Sequence, residues 1–191
     1  DQAIQFAGNG EAELTKDMRD KGVQLVTAVE EATYYLGFNM RDSVVGGDGE
    51  RARLLRRAIS IAVDFEEFVA IFANGRGVAA HGPIPPEIFG YRAGKEGINP
   101  YVYEWRGGRA VRRDITEARA LMREAGYPEG RDPATGQPLL LYYEAVAAGP
   151  SGKAQFNWYR KQFDKLGIQL VVRVTDYNRF QEKLREGTGQ I

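Results

Sequence analysis

The chain has 191 residues, 43% of them hydrophobic, 27% charged and 11% aromatic, with 26 basic side chains against 26 acidic ones and no cysteine. A single core at this length removes roughly 70% of the unfolded chain's surface from water, so folding needs neither metal nor disulfide; a cysteine-built zinc module, a disulfide scaffold and a thiol enzyme are excluded. Neutrality argues against a general nucleic-acid or anionic-membrane surface, and no run approaches the ~20 apolar residues of a bilayer span.

In chain order, residues 11–21 suit a short helix ended by Gly22, and Val23 to Val29 reads as a strand. A second strand is expected from Thr33 through Tyr34, Tyr35 and Phe38 to Asn39, since aromatics favour pleated surfaces. After a loop from Asp42 to Gly49 comes the strongest helix, where Leu55, Ala58, Ile59 and Ala62 recur at i, i+3, i+4, i+7, with Arg53, Arg56 and Arg57 read as a solvated face. Asp64 is placed as the cap of a helix from Phe65 to Ala73, and the Gly- and Pro-rich stretch from Asn74 to Asn99 as a long loop. Asp114 with Glu117 reads as a reciprocal capping box for a helix whose buried stripe is Ile115, Ala118, Leu121, Met122 and Ala125, ended by Gly126 and Pro128.

The last third has a clear rhythm. Leu139 to Tyr143 is a buried strand, Glu144 to Gly152 a loop, and about Lys153 to Leu166 a helix with Phe156, Tyr159, Phe163 and Leu166 on one side. Ile168 to Val174 alternates as a strand, Asp176 caps a helix carrying Tyr177, Phe180 and Leu184, and Gln190-Ile191 begins a third strand. This β-α-β-α-β order implies parallel neighbours with right-handed crossovers. Ligands of such sheets bind beyond the carboxyl ends of the strands, which singles out the loop after Tyr143, the turn at Asp176 and whatever follows Ile191.

Motif by motif, catalysis finds little support. Gly75-Arg-Gly77-Val-Ala-Ala80 matches a dinucleotide fingerprint, but a helix precedes it and a Pro-rich loop follows, where the chemistry needs strand before and helix after; Gly8-Asn-Gly10 is weaker still. Gly149 to Lys153 resembles a phosphate loop but has Ala147 for its first glycine and Ala154 for its magnesium-binding hydroxyl; it reads as a flexible strand-to-helix loop whose amides and Ser151 face the cleft. His81 is the only histidine, so no His-His metal site forms, and Asp64, Glu66 and Glu67 are explained by a helix start without acid-base work. Trp105, Trp158, Tyr101, Tyr103 and Tyr127 read as packing.

Several segments together carry a resemblance. Tyr35-Leu-Gly-Phe-Asn39-Met-Arg-Asp42 and Leu55-Arg-Arg-Ala-Ile-Ser-Ile-Ala-Val-Asp64 are similar to the strand, loop and RxAxxxAxD helix of bacterial family 5 extracellular solute-binding proteins, the oligopeptide- and dipeptide-binding components of ABC importers. Gly75-Arg-Gly77, Gly82 to Pro86, Gly90-Tyr91, Asn99-Pro-Tyr101, Glu117 to Pro128, Thr135 to Leu139 and Lys161 to Leu170 follow in the family's order. The resemblance implies an α/β chain forming one lobe, the second, of a two-lobed type II periplasmic-binding-protein fold, with a mixed sheet and flanking helices. It treats 1–191 as a single domain: an opening segment 1–32, a helical and Pro/Gly-loop part 33–138 and the β-α-β-α-β part 139–191. Because the chain opens at Asp1 without an initiator Met and stops at Ile191 after a polar turn, it is expected to be a piece of a longer protein.

Function follows as an expectation: solute binding outside the cytoplasm, with a peptide as solute, by closure of two lobes, without catalysis, metal or cofactor. Tyr143, Glu144 and Ala145 are implied as ligand contacts because the loop after this strand faces the cleft in such proteins; Ser151 and Asp176 join them from the strand-end rule. The implied partners are a peptide or other small solute, the other lobe and an ABC permease, with no nucleic acid; the location is periplasmic or extracellular, with a lipid anchor on the full-length protein. Two competing expectations are a carboxylate-dependent hydrolase or transferase, and a sensory or interaction module on the same fold.

Overall fold

A computed structural model describes residues 14–26, 31–147 and 149–191, with only the backbone of Pro150 and Ser151. The chain divides into two compact units, one made of Asp1–Thr33 with Phe65–Arg92 and one of Tyr34–Asp64 with Ala93–Ile191. In the first, helix α1 (Lys16–Asp20) starts where Thr15 Oγ1 accepts the Met18 amide at 3.3 Å, and Gly22 follows in the left-handed region. The earlier residues of the expected helix, Gly8 to Gly10 and positions 27–29 of the expected strand lie outside the described residues; Val23 to Val26 forms no ladder among the described residues, and Val26 is 86% exposed. Helix α3 (Phe65–Phe72) stacks Phe68 on Phe72 at 4.8 Å, and the stretch after it is turn and bend, as its glycines and prolines demand.

The second unit is built around α2 (Glu50–Ala62), α4 (Ile115–Glu124) and a parallel β-α-β-α segment. Helix α2 buries Ala52, Leu55, Ala58, Ile59, Ile61 and Ala62 against α4, whose Ala118, Leu121 and Met122 face it. Ala58 and Ala118 are fully buried, and their small side chains let the two helices approach. The arginines of α2 are not one solvated face. Arg51 and Arg53 are exposed, but Arg56 donates to the carbonyls of Val45 and Gly47, at 2.6 and 3.0 Å, and Arg57 lies over the Tyr101 ring. Asp114 caps α4 by accepting the Thr116 amide, but Glu117 does not reach back to complete a box, because Arg113 holds its carboxylate at 3.0 Å.

Two strand expectations change. Thr33 to Asn39 is not a strand: it has no ladder partner among the described residues, and Tyr34 and Tyr35 stand 80% and 84% exposed. Aromatic content favours a pleated surface but supplies no neighbour to pair with. Within 33–138, expected as a helical and Pro/Gly-loop part, β1 (Tyr103–Arg106) and β2 (Arg109–Arg112) form an unexpected antiparallel hairpin. Gly107 and Gly108 both take positive φ, 56° and 78°, as a tight two-residue turn requires. The hairpin pairs Tyr103 with Arg112, and this couple closes the end of α2: the Arg112 guanidinium donates to the carbonyls of Ser60 and Ile61, at 3.1 and 3.2 Å, and to the Tyr103 hydroxyl at 2.8 Å. Those carbonyls belong to the last turn, where no helical amide remains to satisfy them.

Strand β3 (Leu140–Val146) pairs in parallel with β4 (Gln169–Thr175) over seven residues, from Leu140 with Gln169 to Val146 with Thr175. Helix α5 (Gly149–Asp164) connects them and α6 (Tyr177–Glu186) follows. The chain is thus α/β, with its strands in an antiparallel pair and a parallel pair. On the far side of β3 the expected third strand begins: Ile191 donates to the Tyr142 carbonyl at 3.2 Å and accepts the Glu144 amide at 2.8 Å. Successive crossovers run in opposite directions from β3, so right-handed connections put α5 and α6 on opposite faces.

Near the start of β4, Gly130 and Gly167 meet back to back. A Cβ at Gly167 would lie 2.2 Å from the Glu129 carbonyl oxygen, and one at Gly130 2.2 Å from that of Leu166. Gly136 has a similar positive φ but open space around it. Gly167→Ala is therefore expected to cost about 2–4 kcal/mol and Gly136→Ala only about 1, read from urea unfolding midpoints; equal losses would rule out the backbone contact as the cause. Arg112→Met, which leaves two carbonyls unpartnered at the α2 terminus, is expected to cost about 2–3 kcal/mol in the same assay.

Candidate functional site

The parallel register brings the turns after β3 and β4 together. Ala147 donates its amide to the Thr175 carbonyl at 3.0 Å, so the entry to α5 and the Asp176 turn sit side by side at the carboxyl end of the sheet. Asp176 is the cap of α6: its Oδ1 accepts the Arg179 amide at 3.0 Å, and Gly187 stops the helix in the left-handed region. Ser151 lies in the first turn of α5, and its side chain is outside the described residues.

Glu144 and Ala145 are not in a loop, and Tyr143 is not the last residue of its strand. The ladder with β4 carries β3 through Val146, so all three are strand residues and the connection to α5 shrinks to Ala147 and residue 148. Alternation then sends them to different faces. Tyr143 and Ala145 face α5 with Val172 and Val174; the Tyr143 ring lies 5.2 Å from Tyr159 and 6.3 Å from Phe156. Burial among these rings raises the pKa of the Tyr159 hydroxyl, helped by the neighbouring Tyr143, whose own hydroxyl is raised by burial alone.

Glu144 faces α6 and is 5% exposed. Lys183 Nζ bonds its Oε2, and Arg173, its cross-strand partner, stands 3.6 Å from Oε1. The Arg173 guanidinium also covers the Tyr142 ring at 3.5 Å. A buried carboxylate held by two cations is an internal fastening rather than an open acceptor. Beside it, Gln190 engages two chain segments: its carbonyl accepts the Asn39 amide at 2.9 Å and its side-chain nitrogen donates to the Asp42 carboxylate at 3.2 Å, while its side-chain oxygen accepts the Tyr142 amide at 2.7 Å. Asn39 adds side-chain donations to the carbonyls of Gly187 and Gly189, at 2.8 and 2.6 Å.

What lies open at this end is a cleft of about 620 Å³ between α5 and β4, with Ala147, Phe156 and Val174 as apolar lining and Lys153, Asn157 and Arg160 as polar lining. These three polar residues, at i, i+4 and i+7, did not figure among the expected contacts; their spacing beside the Phe156, Tyr159 and Phe163 stripe is the signal that marks them as one row. No group of three or more His, Cys, Asp or Glu able to hold a metal occurs among the described residues, and no helix described is long and apolar enough to cross a membrane.

Lys183→Met removes the main partner of a buried carboxylate and is expected to cost about 3–5 kcal/mol, most of it regained when Glu144→Leu is added; a double variant as unstable as the single one would show that the pair is not the source. The raised tyrosines act at high pH. Folding holds their protons more tightly than the unfolded chain does, so this stabilisation is complete below about pH 10 and is lost as pH rises toward the folded values. Tyr143→Phe with Tyr159→Phe is expected to flatten the alkaline fall of the melting temperature.

The family model described as "Bacterial extracellular solute-binding proteins, family 5 Middle" matches residues 2–191. Heme-binding protein A of Haemophilus influenzae is 25% identical over 177 residues, covering 92% of this chain and 28% of that protein. The dipeptide-binding protein of Escherichia coli is 23% identical over 180 residues, covering 94% and 29%. The periplasmic binding protein DppA of Helicobacter pylori, solved with the peptide STSA, superposes with a TM-score of 0.58 at 21% identity over 80% of this chain and 24% of that one, a likeness of fold. The chain thus spans under a third of the length of these relatives. With the model matched from residue 2 to residue 191, the chain belongs to the family 5 bacterial extracellular solute-binding proteins.

Proposed function

We propose that this chain supplies the second lobe of a carrier that captures a peptide outside the cytoplasm and releases it to an ABC permease. The observation that carries the reading is the family match over residues 2–191; similarity to a dipeptide-binding protein favours a peptide as the solute. The ligand is met at the carboxyl end of the parallel strands, by the amides of the first turn of α5 around Ser151 and by the exposed Asp176 carboxylate. Tyr143, Glu144 and Ala145 form the platform beneath: two are packed against α5, and Glu144, already neutralised by Lys183 and Arg173, holds the platform to α6.

The reading is of a carrier without catalysis. Glu144 is buried with Lys183 and Arg173 on its carboxylate, so it presents no open oxygen to a substrate, and the family match favours transport over a sensory role. The remaining contacts come from the other lobe, which closes over the solute, and the whole protein works in the periplasm or outside the cell, with a lipid anchor where it is tethered.

Calorimetry with short peptides is the test. The full-length parent protein is expected to bind them and the 191-residue chain alone to bind very weakly, because half of the contacts are missing. In the full-length protein Asp176→Asn, which keeps a capping oxygen, is expected to weaken peptide binding about tenfold with little change in melting temperature. Micromolar binding by the chain alone would contradict the two-lobe requirement, and a full-length protein indifferent to every peptide would remove the peptide assignment.

A further inference from the structure

Strand β4 has a second side. The bonds of Gln169 to the Leu139 carbonyl and of Ala147 to the Thr175 carbonyl show that odd-numbered residues of β4 turn their backbone groups toward β3. Leu170, Val172 and Val174 therefore point theirs outward, where no described residue bonds them. Such an edge is a template for another strand, and proteins usually guard one with proline, a bulge or free charges. β4 has none of these guards: it contains no proline, its seven residues pair without interruption, and its one charged side chain, Arg173, is drawn over Tyr142 and toward Glu144. Val174 is 48% exposed beside it.

The edge opens into the cleft already described. Val174 belongs to both, and Lys153 and Arg160 line the cleft with Asn157 while no carboxylate does. A strand laid along β4 would turn every second side chain to the α5 face, toward these cations. β4 itself brings an arginine and no carboxylate, so a second copy of this chain fits the cleft poorly.

We propose that the outer edge of β4, with Lys153 and Arg160, binds an extended acidic segment of a partner protein by strand addition. This surface adjoins the Ser151 turn, because Gly149 and Lys153 line the cleft, but its backbone bonds come from the outer edge of β4 and not from the α5 amides or the Asp176 carboxylate, so it stands or falls apart from the solute-binding reading.

The probe is a peptide of alternating valine and aspartate, seven residues long to match β4 and capped at both ends, titrated into the 191-residue chain with amide shifts followed by NMR. Saturable shifts are expected at Leu170, Val172 and Val174. Methylating the peptide's amides on the side facing β4 is expected to abolish binding, while methylating the alternate set leaves it intact. Lys153→Glu and Arg160→Glu are each expected to weaken binding about tenfold, as is Val174→Pro, which removes an outward donor and leaves the β3 ladder in place. The methylated peptides decide the matter even where a protein variant fails to fold. Equal binding of both methylated forms, preference for a lysine-valine peptide, shifts confined to the Ser151 and Asp176 turns, no saturation by about 1 mM, or self-association through β4 would each overturn the proposal.

Discussion

Strand β3 is the element on which the second unit depends, because both sides of its backbone are occupied. Its odd-numbered residues bond β4, and Tyr142 and Glu144 bond Gln190 and Ile191 on the other side. That double engagement fixes which side chains face α5 and which face α6, and a slip of one residue would exchange the Tyr143 and Glu144 sides altogether. A buried tyrosine cluster on one face and a buried ion pair on the other make such a slip costly from both directions. Register, more than any single side chain, therefore decides what the carboxyl end of the sheet presents to a ligand.

Much of this is legible in the residues. The apolar stripes of α2 and α4, the Asp114 and Asp176 caps, the Gly187 stop and the alternation of β4 all follow from local chemistry, and each stands in the structure. The β1-β2 hairpin differs: its strands are only four residues long, and the paired glycines between them are its one strong local signal. Thr33 to Asn39 fails for the opposite reason. Its aromatics are compatible with a strand, but whether a partner exists is a property of the tertiary fold.

The site is less legible than the fold. Strand ends are set by ladder partners distant in sequence, so a boundary at Tyr143 cannot be corrected without knowing that Val146 meets Thr175. The role of Glu144 turns on Arg173 and Lys183, which lie on two other elements. A run of sequence shows that a carboxylate is present; only packing shows that its charge is already neutralised.

The Asn39, Asp42 and Gln190 contacts have a consequence for how the unit assembles. The bonds between the segment 39–42 and residues 187–190 join positions 148 to 151 apart. Local contacts such as the hairpin and the helix caps form early, whereas closing so long a loop loses entropy before any bond rewards it. These bonds act as a late fastening, made after β3, β4 and α6 are in place. During synthesis the segment at Asn39 waits for some 150 further residues before its partner emerges, and until then Tyr34 and Tyr35 stay tethered to a stretch still open to proteases and chaperones.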